Sequence, residues 1–309
     1  MIKKEDYFTS SNMRTQIHYV SWQPEGDIVA ILQIVHGMND FIERYDRFAS
    51  FLAERGIMVV GEDMLGHGHS IRNQDELGYF FEEREVYLVK DVEKLRHIIT
   101  EKWPEKPYFI LGHSMGSFLT TLYIQEYGMN TNGAIIMGTG YQPSYKLAFG
   151  KALCKIMAKR KGWMYRSPFV NKLALESYNK SFKPARTKFD WLTRDQKVVD
   201  DYCANELNTF ILTLNGFYTL FSLIAKIQKL KHTQEIPSNL PVFFVSGSKD
   251  PVGGFEKGVQ KVYRRFKKAH IRDLQLKYYP EDRHEILNEL DYQTVQEDLY
   301  RWLLSKINS

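Results

Sequence analysis

Six apolar runs, set between amphipathic stretches, constrain this chain more than any other feature. They are IVAILQIV from residue 28, IMVV from 57, YFIL from 108, GAIIM from 133, VFFV from 242 and LQLKYY from 274. A strand that alternates apolar and polar residues buries one face. Most of these runs are continuous, the pattern of strands covered on both faces. Helical stripes lie between several of them: Phe41, Tyr45, Phe48 and Leu52; Leu88, Val92, Leu95 and Ile99, closed by Pro104; and Val295, Leu299, Trp302 and Leu303. Asp40 and Glu43 have the spacing of a capping box at the start of the first. Strand and helix in alternation predict an α/β fold, a mainly parallel central sheet flanked by helices.

One segment breaks the rhythm. From Tyr141 to Ile236 no strand pattern is convincing, and both flanks carry turn chemistry, GTGYQPS before and EIPSNLP after. Residues 141–236 therefore read as a mostly helical cap inserted into a core made of residues 1–140 and 237–309. Within it, LNTFILTLNGFYTLFSLIA from Leu207 is uncharged for nineteen residues, close to the length that crosses a bilayer. Seven polar or glycine positions interrupt it, which favours a helix buried on both sides, one of them facing a substrate tunnel. Phe210, Phe217 and Phe221 are its candidate substrate-binding side chains.

Charge adds a second property to the cap. Between Lys146 and Lys188 stand twelve Lys or Arg and a single acid, Glu176, within a chain of net charge +5. Such a surface attracts anions, and peripheral contact with an anionic membrane is the expected use. No nucleic-acid recognition motif accompanies the charge, so no nucleic-acid partner is expected. Cys154 and Cys203 are too few and too far apart for a disulfide scaffold, and MIKKEDYFTSSNMRTQ has no apolar run after its basic start. The expected location is cytoplasmic, peripheral to the inner face of the membrane. No metal cluster, phosphate loop or dinucleotide fingerprint is visible, so no cofactor or metal is implied; oligomeric state is left open.

The stretch FILGHSMGSF places Ser114 between Gly112 and Gly116 where an apolar strand gives way to a helix. A G-x-S-x-G pentapeptide alone is common by chance; the strand, tight turn and helix around it are what a nucleophile elbow requires. Such a turn holds the serine in a strained backbone conformation at the carboxyl end of the sheet, with the positive end of the following helix behind it.

A serine hydroxyl is a poor nucleophile until a histidine takes its proton and a carboxylate fixes that histidine's tautomer. The elbow's chain order is Ser, then acid, then His. VFFVSGSKDPVGG runs from a strand into a loop with Asp250 past its end, and LQLKYYPEDRHEILNE does the same with His284. Asp273 precedes its strand and Asp282 is too near His284 to orient it from a separate loop, so Asp250 is the expected acid and Glu256 the fallback. His67 and His69 precede the serine in a glycine turn and read as structural, as does His113. An oxyanion hole needs two backbone N–H groups. Met115 follows the nucleophile, and the loop in IVAILQIVHGMND offers Met38 after Gly37; a plain strand-to-helix turn is the alternative for that loop.

HGMNDFIERYDRFASFLAERGIMVVGEDMLGHGHS, GHSMGS, SGSKDPVG and RHEILNE together resemble the α/β-hydrolase superfamily, and within it the monoacylglycerol lipase and lysophospholipase branch. The resemblance covers the core and not the cap. It implies the α/β-hydrolase fold, Ser114, Asp250 and His284 as the triad, Met38 and Met115 as oxyanion donors, and a structural imidazole at His36. Ser117 stands where many relatives carry another glycine. The expected activity is ester hydrolysis through an acyl-enzyme on a small acyl-ester or single-chain lipid substrate. The rivals are a proline-iminopeptidase-type aminopeptidase, a thioesterase, a short-chain esterase and a non-catalytic binder on the same scaffold.

Overall fold

The computed structural model describes residues 1–82 and 84–307. Its strands are β1 (Ile2–Thr9), β2 (Gln16–Gln23), β3 (Ala30–Val35), β4 (Ile57–Glu62), β5 (Tyr108–His113), β6 (Gly133–Met137), β7 (Val242–Gly247) and β8 (Leu274–Tyr279). They form one sheet in the order β1-β2-β4-β3-β5-β6-β7-β8. The six strands from β4 to β8 pair in parallel, and β2 and β1 add an antiparallel edge.

Helices α1 (Asp46–Ala53), α2 (Glu85–Lys102) and α3 (Met115–Tyr127) follow β3, β4 and β5. The segment between β6 and β7 carries α4 (Ser144–Lys161), α5 (Pro168–Leu175), α6 (Gln196–Ala204), α7 (Glu206–Thr209), α8 (Leu214–Ile227) and α9 (Leu230–Thr233). Two more, α10 (Lys257–Lys268) and α11 (Tyr292–Ile307), close the chain. Side chains alternate across each buried strand, so a continuous apolar run feeds two cores. Ile31, Val35, Ile110, Ile136 and Phe244 point to the face covered by Leu95 and Ile99 of α2, Leu119 of α3 and Phe266 of α10. Leu32, Ile34, Leu111, Ile135 and Val245 point to the other, where Phe48 and Leu52 of α1 meet Leu299 and Trp302 of α11. Burial of each such side chain contributes about 1.5–3 kcal/mol.

Two local expectations change. No capping box forms at Asp40 and Glu43: residues Ile42–Tyr45 make a 3-10 turn before α1, and Asp40 turns instead toward Gly37 and Arg44. The uncharged stretch from Leu207 breaks into α7, a short extended link and α8, and among the described residues no helix is long and apolar enough to cross a membrane.

Candidate active site

Ser114 sits at the junction of β5 and α3 with φ +55° and ψ −119°. For a residue with a Cβ this conformation costs about 1–3 kcal/mol, so the surroundings must hold it. They do so through Ser114 N, which donates to the Met137 carbonyl at 3.0 Å, and the Ser114 carbonyl, which accepts from Ser117 Oγ at 2.6 Å. The residue at 117 thus braces the elbow with its hydroxyl. A Cβ at Gly116 would run into the carbonyls of Val35 and His36, because α3 starts directly against the end of β3.

The loop after β3 is shaped by two buried side chains. His36 Nε2 accepts from Met64 N at 2.8 Å, which leaves Nδ1 to donate to the Gly37 carbonyl at 2.7 Å. In a trans peptide the next N–H, that of Met38, points opposite to that carbonyl. Asp40 Oδ2 accepts from Gly37 N at 3.2 Å. A Cβ at Gly37 would lie 3.2 Å from the Ser114 Cβ, so the loop passes immediately over the serine.

His284 follows β8 and Asp250 follows β7. Their side chains meet, His284 Nδ1 lying 2.9 Å from Asp250 Oδ2, with both groups buried. Asp250 Oδ1 accepts from Val252 N at 2.8 Å, which fixes the carboxylate. A carboxylate only accepts, so Nδ1 carries the proton and Nε2 presents a lone pair. Among the described residues Nε2 has no hydrogen-bond partner. Ser114 and His284 both line a cavity of about 470 Å³ under the cap, with Met38, Asn39, Trp191 and Phe210. Glu256 stands just before α10, and among the described residues the carboxylate bonded to the imidazole is that of Asp250. Phe210 reaches the cavity; Phe217 and Phe221 do not. They stack on each other, Phe217 fully buried and Phe221 packed on Gly150 of α4, so their area is spent joining α8 to α4.

Several functional neighbours escaped sequence reasoning. His113 does not simply pack: its Nε2 donates to the His284 carbonyl at 3.2 Å, and its Nδ1 lies 3.1 Å from the Tyr45 hydroxyl. Burial and the adjacent His284 push its pKa down to about 4, so it props the loop as a neutral ring. Arg44 grips Glu285 with two bonds of 2.9 and 2.7 Å and Asp40 with one of 2.8 Å. It thereby ties the loop over the serine to the loop carrying His284, across 241 residues of chain. No signal in a single sequence pairs such distant charges.

Burial disfavours both charges on Asp40 and Glu285, but Arg44 overrides it and holds each carboxyl below the ordinary range. Carboxylates depressed in the native state contribute stability above their unfolded pKa, and that stability is lost as pH falls through the folded value. Arg44→Ala, which strands two buried charges, should lower the unfolding free energy by about 3–5 kcal/mol at pH 7. The gap from the parent protein should narrow as pH drops below about 4. Denaturant melts at pH 7 and pH 3 check this; an equal gap at both would refute it.

Residues 26–291 match the family described as "Serine aminopeptidase, S33". Monoacylglycerol lipase of Mycolicibacterium smegmatis is 25% identical over 300 residues, covering 94% of each chain. Monoglyceride lipase of Rattus norvegicus is 30% identical over 116 residues, 38% of this chain and 37% of that protein. The crystal structure of a thermostable carboxyl esterase from Bacillus coagulans superposes over 99% of both chains with a TM-score of 0.92 at 24% identity, a likeness of fold. A match spanning so much of the chain, on an eight-stranded sheet of this order, makes the protein a hydrolase of the serine aminopeptidase S33 family, in the monoacylglycerol lipase-like branch of the α/β hydrolases.

Proposed function

We propose that the protein is a serine ester hydrolase acting through an acyl-enzyme, with a single-chain lipid ester, a monoacylglycerol or lysophospholipid, as substrate. The observation that carries this is the His284–Asp250 pair, whose uncommitted Nε2 faces the same cavity as a serine held at positive φ. Ser114 Oγ attacks the ester carbonyl carbon as its proton passes to Nε2. The oxyanion accepts hydrogen bonds from the Met38 and Met115 N–H groups. As the tetrahedral species collapses, the bond to the alcohol oxygen breaks and His284 protonates that oxygen. Water, deprotonated by the same imidazole, then attacks the acyl-serine and frees the acid.

An aminopeptidase reading has the family's own description in its favour. It needs cavity carboxylates free to hold a substrate ammonium, whereas Asp40 and Glu285 are both engaged by Arg44, Glu176 is paired with Lys172 at 3.6 Å, and the lining also carries Lys188. Nitrophenyl esters of increasing chain length, a monoacylglycerol and an aminoacyl anilide separate the readings. Turnover highest on medium or long acyl chains supports the lipid ester hydrolase; turnover of the anilide alone overturns it.

The cap supports delivery from a lipid surface. Tyr145, Phe149 and Ile156 of α4 and Phe169 and Leu173 of α5 are exposed, among Lys146, Lys155, Lys159 and Lys172. Apolar protrusions set in basic charge suit an anionic bilayer better than a nucleic acid. Sedimentation with vesicles containing an anionic phospholipid should show binding that weakens several-fold as salt shortens the Debye length to about 3 Å at 1 M. Binding indifferent to salt and to lipid charge would refute the electrostatic share.

A further inference from the structure

The cap is not joined to the core evenly. Residues 190–195, between α5 and α6, lie along the loop that carries His284. Glu285 N donates to the Leu192 carbonyl at 2.7 Å, and Thr193 Oγ1 to the Asn288 carbonyl at 2.9 Å. Arg283 reaches the carbonyls of Asp190 and Thr193. Arg194 pairs with Asp282 at 2.5 Å, Glu289 at 2.9 Å and Asp291 at 2.6 Å. These hydrogen bonds and ion pairs tie the strap to the histidine loop.

Trp191 projects from the strap onto the imidazole. Its ring centroid lies 5.1 Å from that of His284, with the planes at 40°. The His113 ring also lies against the His284 ring, at 4.8 Å and also 40°. Trp191 is itself held, its backbone N–H by Asn179 Oδ1 at 3.0 Å and its ring against Tyr178 at 5.1 Å. Together with Leu175, Met38 and Ser114, it also borders two spaces at once. One is the 470 Å³ cavity; the other is an apolar chamber of about 50 Å³ behind Ser114, closed by Phe118, Leu220 and Ile224.

We propose that Trp191 is the residue through which the cap acts on the reaction: it positions the His284 ring against His113 and, with Leu175 and Met38, forms the partition between the two chambers that meet at Ser114. This rests on the ester-hydrolase reading of Ser114 and His284. An aromatic face beside the imidazole is attractive when the ring becomes a cation, which is the moment it has taken the serine proton. A ring packed against two others and bonded to Asp250 loses little freedom on reaching that geometry. The partition bounds the smaller chamber, so its removal joins that chamber to the larger one and relaxes selection by acyl length.

The test uses Trp191→Phe, Trp191→Leu and Trp191→Ala in the full-length protein. Phe keeps an aromatic face and should retain kcat within about threefold. Leu fills space without a π-face and should lose about tenfold in kcat at little change in KM. Ala should lose more and shift preference toward longer or branched acyl esters. A second readout does not need turnover. Protonated imidazole quenches indole emission, so the difference between parent and Trp191→Phe fluorescence should fall with pH through an ionisation kept in Ser114→Ala and lost in His284→Gln.

The other titratable groups facing His284 are Asp250, His113, Tyr178 and, beyond His113, Glu285 with Arg44. His113 lies down near 4, and Tyr178 is pushed up to about 12 by burial and by Asp250, so neither titrates between pH 5.5 and 9. Parent-like kcat and chain preference in the Leu and Ala variants overturn the inference, as does emission that ignores pH. If the emission titrates but the parent cleaves no ester, the ester-hydrolase reading fails while the Trp191–His284 contact stands.

Discussion

Ser114→Ala should abolish ester hydrolysis, lowering kcat by about 10⁴- to 10⁶-fold while leaving a residue above the uncatalysed rate. The loss is large because the positive-φ turn puts the Ser114 side chain at the cavity, whereas the nearby Ser117 hydroxyl is bound to the Ser114 carbonyl and does not line it. On the proposed mechanism, what remains comes from the Met38 and Met115 N–H groups and from binding, which the substitution does not touch. Folding should be nearly unaffected. The elbow is braced by Ser114's backbone, through the Met137 carbonyl and Ser117 Oγ, and the side-chain oxygen has no hydrogen bond among the described residues. The measurement is kcat on the best nitrophenyl ester beside a thermal melt. Activity above one part in a thousand, with an unchanged melt, would assign the nucleophile elsewhere.

Asp250→Asn tests the other end of the relay and should cost about 10⁴-fold in kcat with little change in KM. The amide is nearly isosteric and can still accept from Val252 N through its oxygen. Its nitrogen, turned to His284, donates where the carboxylate accepted, so Nδ1 must accept and the proton moves to Nε2. The imidazole then shows Ser114 a donor instead of a lone pair. A stabilising anion for the imidazolium is lost at the same time. A fall of only a few-fold would mean that another group sets the tautomer.

How much of this was legible before the coordinates depended on whether the signal was local. Five of the six parallel strands declared themselves because strands buried on both faces need continuous apolar runs; β8, at the sheet edge, showed itself by its apolar residues interleaved with Gln275 and Lys277. The antiparallel edge did not: β1 is exposed along most of its length and reads KKED at its centre, and β2 interleaves His18 and Ser21 with its apolar residues. Local sequence also placed Asp250 and His284 on successive loops past strand ends, and the chain brings them within 2.9 Å. Asp40 was misread for the complementary reason. Its spacing to Glu43 is a local pattern, but a buried arginine and the Gly37 amide outcompete a helix end for its oxygens. Phe217 and Phe221 went the same way, since an apolar helix in a cap can face either the cavity or its neighbour, and composition does not distinguish these. Arg44 with Glu285, and Trp191 over His284, are tertiary facts with no local trace.

The strap at 190–195 carries a consequence for anyone rebuilding the substrate site. By chain position it belongs to the insertion; by hydrogen bonds and charge it belongs to the loop bearing the imidazole. A chimera that exchanged the whole insertion for another protein's would leave Asp282 and Glu289 without the guanidinium that neutralises them, and Glu285 N without its acceptor. Grafts should therefore splice on either side of those six residues, so that new specificity arrives without disturbing the proton shuttle beneath.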